Sequence, residues 1–105
     1  MAKMKFLYFD NDSDNAIAIN ASQIVGIYIQ ASQVVEIYGN GGLGGDDVGF
    51  HVRLDTVDGK ESDVIKYLID LIATHRDATI TVADDRNSKY VHTNITGVNA
   101  ISTGV

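Results

Sequence analysis

The chain has no cysteine and no proline among its 105 residues. Without cysteine, neither a disulfide framework nor a thiolate metal site can form, which points to a reducing compartment or a virion as the setting. The missing proline bears on assembly. Proline and lysine are the usual guards of exposed sheet edges, and lysine enters the strand-like segments only at Lys3, Lys5 and Lys89. Unguarded edges close on themselves or pair with another subunit. Long apolar runs are absent too: Ile24 to Ile29 is the longest, far below the ~20 residues a helix needs to cross a bilayer. Positive charge is scarce, with 8 Lys and Arg against 14 Asp and Glu and a net charge of −6. That balance argues against general electrostatic capture of nucleic acid or anionic lipid, though not against a local basic patch.

Near the N-terminus, Lys3 and Lys5 precede an apolar stretch that ends at Asp10. It is too short for the roughly 7–15-residue core of a secretion signal, so the expectation is a chain that is not secreted. Asn11-Asp12-Ser13 and Asn94-Ile95-Thr96 then match the glycosylation pattern without meeting the machinery. The apolar fraction of 45% is ordinary for a globular protein. A chain of this length is expected to form one domain over residues 1–105 with a modest core.

Strand patterning dominates the chain. Lys3 to Phe9 alternates, with Met4, Phe6 and Tyr8 on one face and Leu7 and Phe9 on the other. The polar run 10–15 predicts a hairpin loop into a short strand, Ala16 to Asn20, with Ile17 and Ile19 aligned. A near-repeat follows: Ala21-Ser22-Gln23-Ile24-Val25-Gly26-Ile27-Tyr28 returns ten positions later as Ala31-Ser32-Gln33-Val34-Val35-Glu36-Ile37-Tyr38. Both copies are rich in β-branched and aromatic residues, and the spacing predicts two strands of one sheet joined near 30–32, or one long bent strand. Two such short copies are too few for a solenoid. After a glycine-rich loop at 39–47, Val48 to Val57 puts Val48, Phe50, Val52 and Leu54 on one face. Asp58-Gly59 is a turn signal.

One helix is expected from Ser62 as its N-cap, with Asp63 favoured by the helix dipole. Val64, Ile65, Leu68, Ile69, Leu71 and Ile72 form its apolar face, and His75 and Arg76 suit its C-terminal end. Strands at Ala78 to Ala83 and Lys89 to Ile95 flank the loop 84–88, and Gly97 marks a bend before a last strand, Val98 to Ile101. The reading is mainly β with one helix, six to eight short strands forming a small bent-strand barrel or sandwich. No sustained strand–helix alternation supports a doubly wound sheet.

Catalytic motifs fail on context. Gly39-Asn40-Gly41-Gly42-Leu43-Gly44 matches G-x-G-x-x-G, but Asp46, Asp47 and another strand follow where a phosphate-binding helix should open. Asp10, Asp12 and Asp14 have calcium-loop spacing, yet Asn15 replaces the required glycine and Ala21 the bidentate glutamate. His51, His75 and His92 lie on separate elements, which does not make a zinc site. No serine sits in a nucleophile elbow. Asp46-Asp47 and Asp84-Asp85 read as solvated loop charge. No catalytic residue, metal ligand or cofactor is therefore expected, and the protein is read as non-enzymatic. The one stretch that gathers basic, amide and aromatic side chains is Arg86, Asn87, Lys89 and Tyr90. Arginine can stack on or hydrogen-bond bases, and tyrosine offers a stacking face. The alternative is a polar hairpin whose Tyr90 packs locally, and the flanking aspartates favour it.

Residues 17–28 and Phe50-His51-Val52-Arg53-Leu54-Asp55-Thr56-Val57-Asp58-Gly59-Lys60, with the helix, span most of the chain. Taken together they resemble a family of small marine-phage proteins, of cyanophage type, whose fold is similar to the Sm-like barrel. The second segment looks like the opening of the first Sm motif, in which alternating apolar residues lead to leucine and then an acidic residue–glycine turn. The second Sm motif and the methionine–asparagine base-binding pair are absent, and the helix follows the barrel strands instead of preceding them. No binding residue is carried over by motif; by position alone, the Arg86 loop is similar to the Sm loop that bears the RNA-binding arginine. The resemblance implies a closed homo-oligomeric ring of five to seven subunits built through edge strands. It further implies binding of RNA or single-stranded DNA, and a phage-encoded protein acting in the cytoplasm of the host cell. The alternative is a phage structural or assembly protein that contacts only protein, which the acidic balance favours.

Overall fold

The structure is a computed structural model that describes residues 5–12, 15–39, 49–74 and 79–102. Within them are eight strands and one helix: β1 (Phe6–Asp10), β2 (Ala16–Asn20), β3 (Ile24–Ala31), β4 (Val34–Gly39), β5 (Phe50–Thr56), α1 (Glu61–Thr74), β6 (Thr79–Asp84), β7 (Lys89–Tyr90) and β8 (Ile95–Ser102). The mainly-β chain with a single helix that the patterning predicts is the fold observed.

The patterning predicts a bent-strand barrel or sandwich; the strands form two four-stranded sheets, β2-β1-β6-β7 and β3-β4-β5-β8, and no closed barrel among the described residues. The break lies after β2. A 3-10 turn at Ala21–Gln23 is capped by Asn20, whose side chain accepts the Ser22 N–H, and it carries the chain from one sheet to the other. The Ala21 N–H still reaches the Lys5 carbonyl at 2.8 Å, so the corner stays tied to the first sheet. The second sheet is antiparallel throughout. In the first, β1 runs antiparallel to β2 but parallel to β6.

One apolar cluster joins both sheets and the helix. Leu7, Phe9, Ile19, Val35, Ile37, Val52, Leu54, Val64, Leu68 and Val82 have no exposed surface. The period-2 alternation of β5 appears as a strict buried–intermediate pattern over Phe50–Thr56. The near-repeat folds as the β3–β4 hairpin, with Ile27 opposite Ile37. Its tip turns at Gln33, a non-glycine residue with φ 66°. That tip is anchored twice: the Gln33 N–H donates to Glu61 Oε2 at 2.8 Å, and the Gln33 carbonyl accepts the Thr56 N–H at 2.8 Å.

The helix begins at Glu61, so Ser62 lies inside the first turn and is not the N-cap. The Lys60 carbonyl accepts the Val64 N–H at 3.1 Å, and Gly59, at φ 81°, supplies the left-handed turn that aims the chain into the helix. Its buried stripe is narrower than the sequence suggests. Val64, Leu68 and Leu71 are buried and Ile65 and Ile72 partly so, whereas Ile69 is 54% exposed. The expected strand Lys89 to Ile95 also differs: β7 stops at Tyr90 and residues 91–94 turn. His92 causes the turn, since its Nδ1 accepts the Asn94 N–H and its carbonyl the Ile95 N–H, each at 3.1 Å. Ile95 instead opens β8, which absorbs Gly97 beside a register shift against β5. His75, Arg76, Asp14, Asp46, Asp47 and residues 40–48 of the glycine-rich loop lie outside the described residues. No helix among the described residues is long and apolar enough to cross a membrane.

Candidate functional site

The loop between β6 and β7 carries the four residues singled out from sequence, and each has a defined setting. Asp84 builds the loop: its Oδ1 accepts the Asn87 N–H at 3.2 Å and its Oδ2 the Asn87 side-chain amide at 2.9 Å. Arg86 Nε donates to Asp10 Oδ2 at 3.1 Å, and its Nη1 lies 3.6 Å from Asp12 Oδ1. The tip of the β1–β2 hairpin and the late loop are thus held together by one guanidinium between two carboxylates. Asp10 is buried, and it also accepts the Asp12 N–H and the Tyr8 hydroxyl, each at 2.9 Å. The Asp12 amide, then the Arg86 guanidinium, hold its carboxyl below the ordinary carboxylate value despite burial. Tyr90 is half-buried against the core, and its hydroxyl donates to Asp85 Oδ1 at 2.7 Å. That bond, with burial, pushes the phenol up to about 12. Lys89 is exposed on β7. The structure therefore brings Arg86, Asn87 and Tyr90 together, but each points a polar group at an aspartate.

A second concavity was not anticipated. It lies on the outer face of the β3-β4-β5-β8 sheet, has a volume of 570 Å³, and is lined by Tyr28, Glu36, Tyr38, Phe50 and His51 with backbone at Gly39 and Gly49. Alternation explains the lining: Val35 and Ile37 face the core, so Glu36 and Tyr38 must face outward. Cross-strand register assembles two rows, Tyr28–Glu36–Arg53 and Gly26–Tyr38–His51. In the first row Tyr28 donates to Glu36 Oε2 at 2.7 Å and Arg53 Nε donates to Glu36 Oε1 at 2.8 Å. Burial raises the Glu36 carboxyl, but these two donors outweigh it and hold the group below its ordinary value. In the second row Tyr38 lies over Gly26, where a Cβ would stand 2.7 Å from the ring. Tyr28 and Tyr38 meet edge to face with centroids 5.6 Å apart, and remain 42% and 39% exposed.

The sheet edges differ in how they are guarded. The free edge of β8 is occupied by Asp85, whose two carboxylate oxygens accept the Val98 N–H at 3.2 Å each. Among the described residues β3 pairs with β4 alone, and it exposes Val25 at 57% and Ile29 at 47%. Between β3 and α1 an apolar groove of 310 Å³ is lined by Ile24, Val25, Ile27, Ile69 and Ile72. Residues 15–35 contain no ionisable side chain other than Tyr28. Among the described residues, no three His, Asp or Glu side chains gather closely enough to hold a metal ion. No protein-family model, curated protein or solved structure matches this chain.

Proposed function

We propose that this protein is a non-enzymatic, phage-encoded component of the host-cell cytoplasm that assembles with copies of itself through open sheet edges and, as a closed Sm-like ring, binds RNA or single-stranded DNA. The observation that carries the reading is β3: an eight-residue edge strand with no charge, no proline and no lysine, bordered by an apolar groove. An edge of this kind offers unpaired backbone groups and side chains that gain by leaving water. Its lack of charge matters in a chain of net charge −6, because copies approaching elsewhere bring like charges together.

Repetition around an axis would give exposed Lys89, and Arg86 beside it, the avidity of about 10²–10⁴ that linked weak contacts can supply. Tyr90 would add a stacking surface and Asn87 a base-reading amide. The second reading is an assembly protein that contacts only protein. It is favoured by the aspartates that already engage Arg86, Asn87 and Tyr90.

Two measurements separate these readings. Light scattering should find an oligomer, and a Val25→Lys, Ile29→Lys double variant should be smaller while still folded; a wild-type monomer at high micromolar concentration rules out assembly. Labelled oligonucleotides of increasing length should bind the oligomer more tightly as they grow and less tightly as salt rises. An Arg86→Ala, Lys89→Ala variant should lose that binding. Absence of binding by the wild type at low salt leaves the protein-only reading.

A further inference from the structure

The concavity on the outer sheet face has the volume of a small-molecule site, within the range of about 300–1,000 Å³. Its chemistry is narrower than its size. Two tyrosine rings stand at right angles, Phe50 and His51 complete the lining, and Glu36 lies at the base with Arg53 bonded to it at 2.8 Å. Faces of aromatic rings carry negative electrostatic potential and attract cations. The Arg53 guanidinium at 2.8 Å offsets most of the charge of buried Glu36, so the ring faces carry the attraction, with the field of a chain of net charge −6 added to it.

The hydrogen bonds then select among cations. Both Glu36 oxygens are already engaged, one by Tyr28 and one by Arg53. A primary ammonium or a guanidinium brings several N–H donors, which lose their water on entry and need acceptors. With Tyr28 and Arg53 already on Glu36, the lone pairs left on that carboxylate are too few for all the N–H groups of such a cation. A quaternary ammonium has no N–H to satisfy. It takes the attraction of the ring faces without disturbing the Glu36–Arg53 pair, and its methyl groups cover apolar ring surface. An anionic ligand meets the opposite balance, since Glu36 lies in the lining.

We propose that the Tyr28–Tyr38–Glu36 concavity binds a small quaternary ammonium solute of the choline type. The proposal stands independently of nucleic-acid binding and of assembly. Gly26 is part of it: the missing Cβ lets the Tyr38 ring lie down across β3 and form one wall.

The test is a titration of the full-length protein with tetramethylammonium chloride and with choline chloride, followed through the ring NMR signals of Tyr28 and Tyr38. Sodium chloride at equal ionic strength is the reference. Saturable shifts with both cations and none with sodium are expected. Methylammonium, and the neutral isostere 3,3-dimethylbutanol, should each bind about tenfold more weakly. Tyr38→Leu and Glu36→Gln should each weaken choline binding by about tenfold. Thr93→Ala, at an exposed turn position outside the concavity, should bind within about twofold of wild type. Amide NMR spectra of Tyr38→Leu and Glu36→Gln that match wild type away from the concavity show that the sheet tolerates change at this face. Absence of saturation by either cation overturns the proposal. Equal binding of the neutral isostere, or binding unaffected by Tyr38→Leu, overturns it too. Sedimentation with phosphatidylcholine vesicles without any response to free choline would assign the face to a membrane surface and likewise refute a free solute.

Discussion

Leu68→Ala asks whether the helix closes the core in the way the structure shows. Leu68 has no exposed surface and sits between Val64 and Leu71 on the buried stripe of α1. Truncation removes three carbons, about 2.4 kcal/mol at ~0.8 kcal/mol per buried methylene. Two sheets and the helix fix the surrounding walls, so the site cannot collapse freely and a cavity term adds to this. About 3–4 kcal/mol is expected, inside the ~2–5 kcal/mol seen for buried leucine truncations. With a urea slope of roughly 1–2 kcal/mol/M for a domain of this size, the unfolding midpoint should fall by about 2 M. Ile69 is the internal control. It neighbours Leu68 in the chain but is 54% exposed, so Ile69→Ala should cost under about 1 kcal/mol in the monomer. Equal shifts for the two variants, or none for Leu68→Ala, would refute the assignment of the buried stripe.

The pH dependence has two arms of opposite sign. Asp10, Glu36 and Glu61 have folded pKa values lowered from their ordinary ones. Each contributes stability above its unfolded pKa and loses it as pH falls through its folded value. Denaturation midpoints should therefore drop through the acid range, and Asp10→Asn should flatten that drop; an unchanged slope in the variant contradicts the Asp10 network. Tyr90 behaves in reverse. Its phenol is raised to about 12, so its bond to Asp85 contributes fully below the ordinary tyrosine pKa of about 10 and is lost as pH climbs through the folded value. Phenolate absorbance should show a late step that disappears in Tyr90→Phe, and identical alkaline titrations of the two proteins would count against it.

Much of the fold was legible because alternation of period two is a strong signal. Ile17 and Ile19, and Phe50, Val52 and Leu54, could be placed inward from spacing alone, and they are buried. What spacing could not show was where the sheet breaks. The 3-10 corner depends on one capping bond from Asn20, which leaves no periodic trace. The turn at 91–94 depends likewise on His92 accepting two backbone N–H groups in a stretch whose composition favours a strand. Ile69 belongs to the apolar helical face by spacing, but it lines the open groove beside β3 and stays 54% exposed. In the late loop, Arg86, Lys89 and Tyr90 were visible as residue types, whereas the approach of Asp10 and Asp12 from a hairpin more than seventy residues earlier was not.

The near-repeat carries the signal for the outer-face concavity at the positions where its two copies differ. Tyr28 and Tyr38 correspond, while Gly26 corresponds to Glu36. A direct repeat folded into an antiparallel hairpin does not place equivalent residues opposite each other. It crosses them, and the observed register puts Tyr28 against Glu36 and Gly26 against Tyr38. The one pair that differs on this face thus sets the fate of both tyrosines. Glutamate gives Tyr28 a carboxylate to donate to, which fixes the phenol upright beside the strand. Glycine gives Tyr38 an empty space to lie in. Had both positions been glycine, neither ring would have had a polar anchor; had both been glutamate, Tyr38 would have met a side chain where its ring now rests. Two similar strands therefore produce an asymmetric face, with one ring anchored, one ring recumbent and a charged group between them, and it is this asymmetry that makes the surface a concavity.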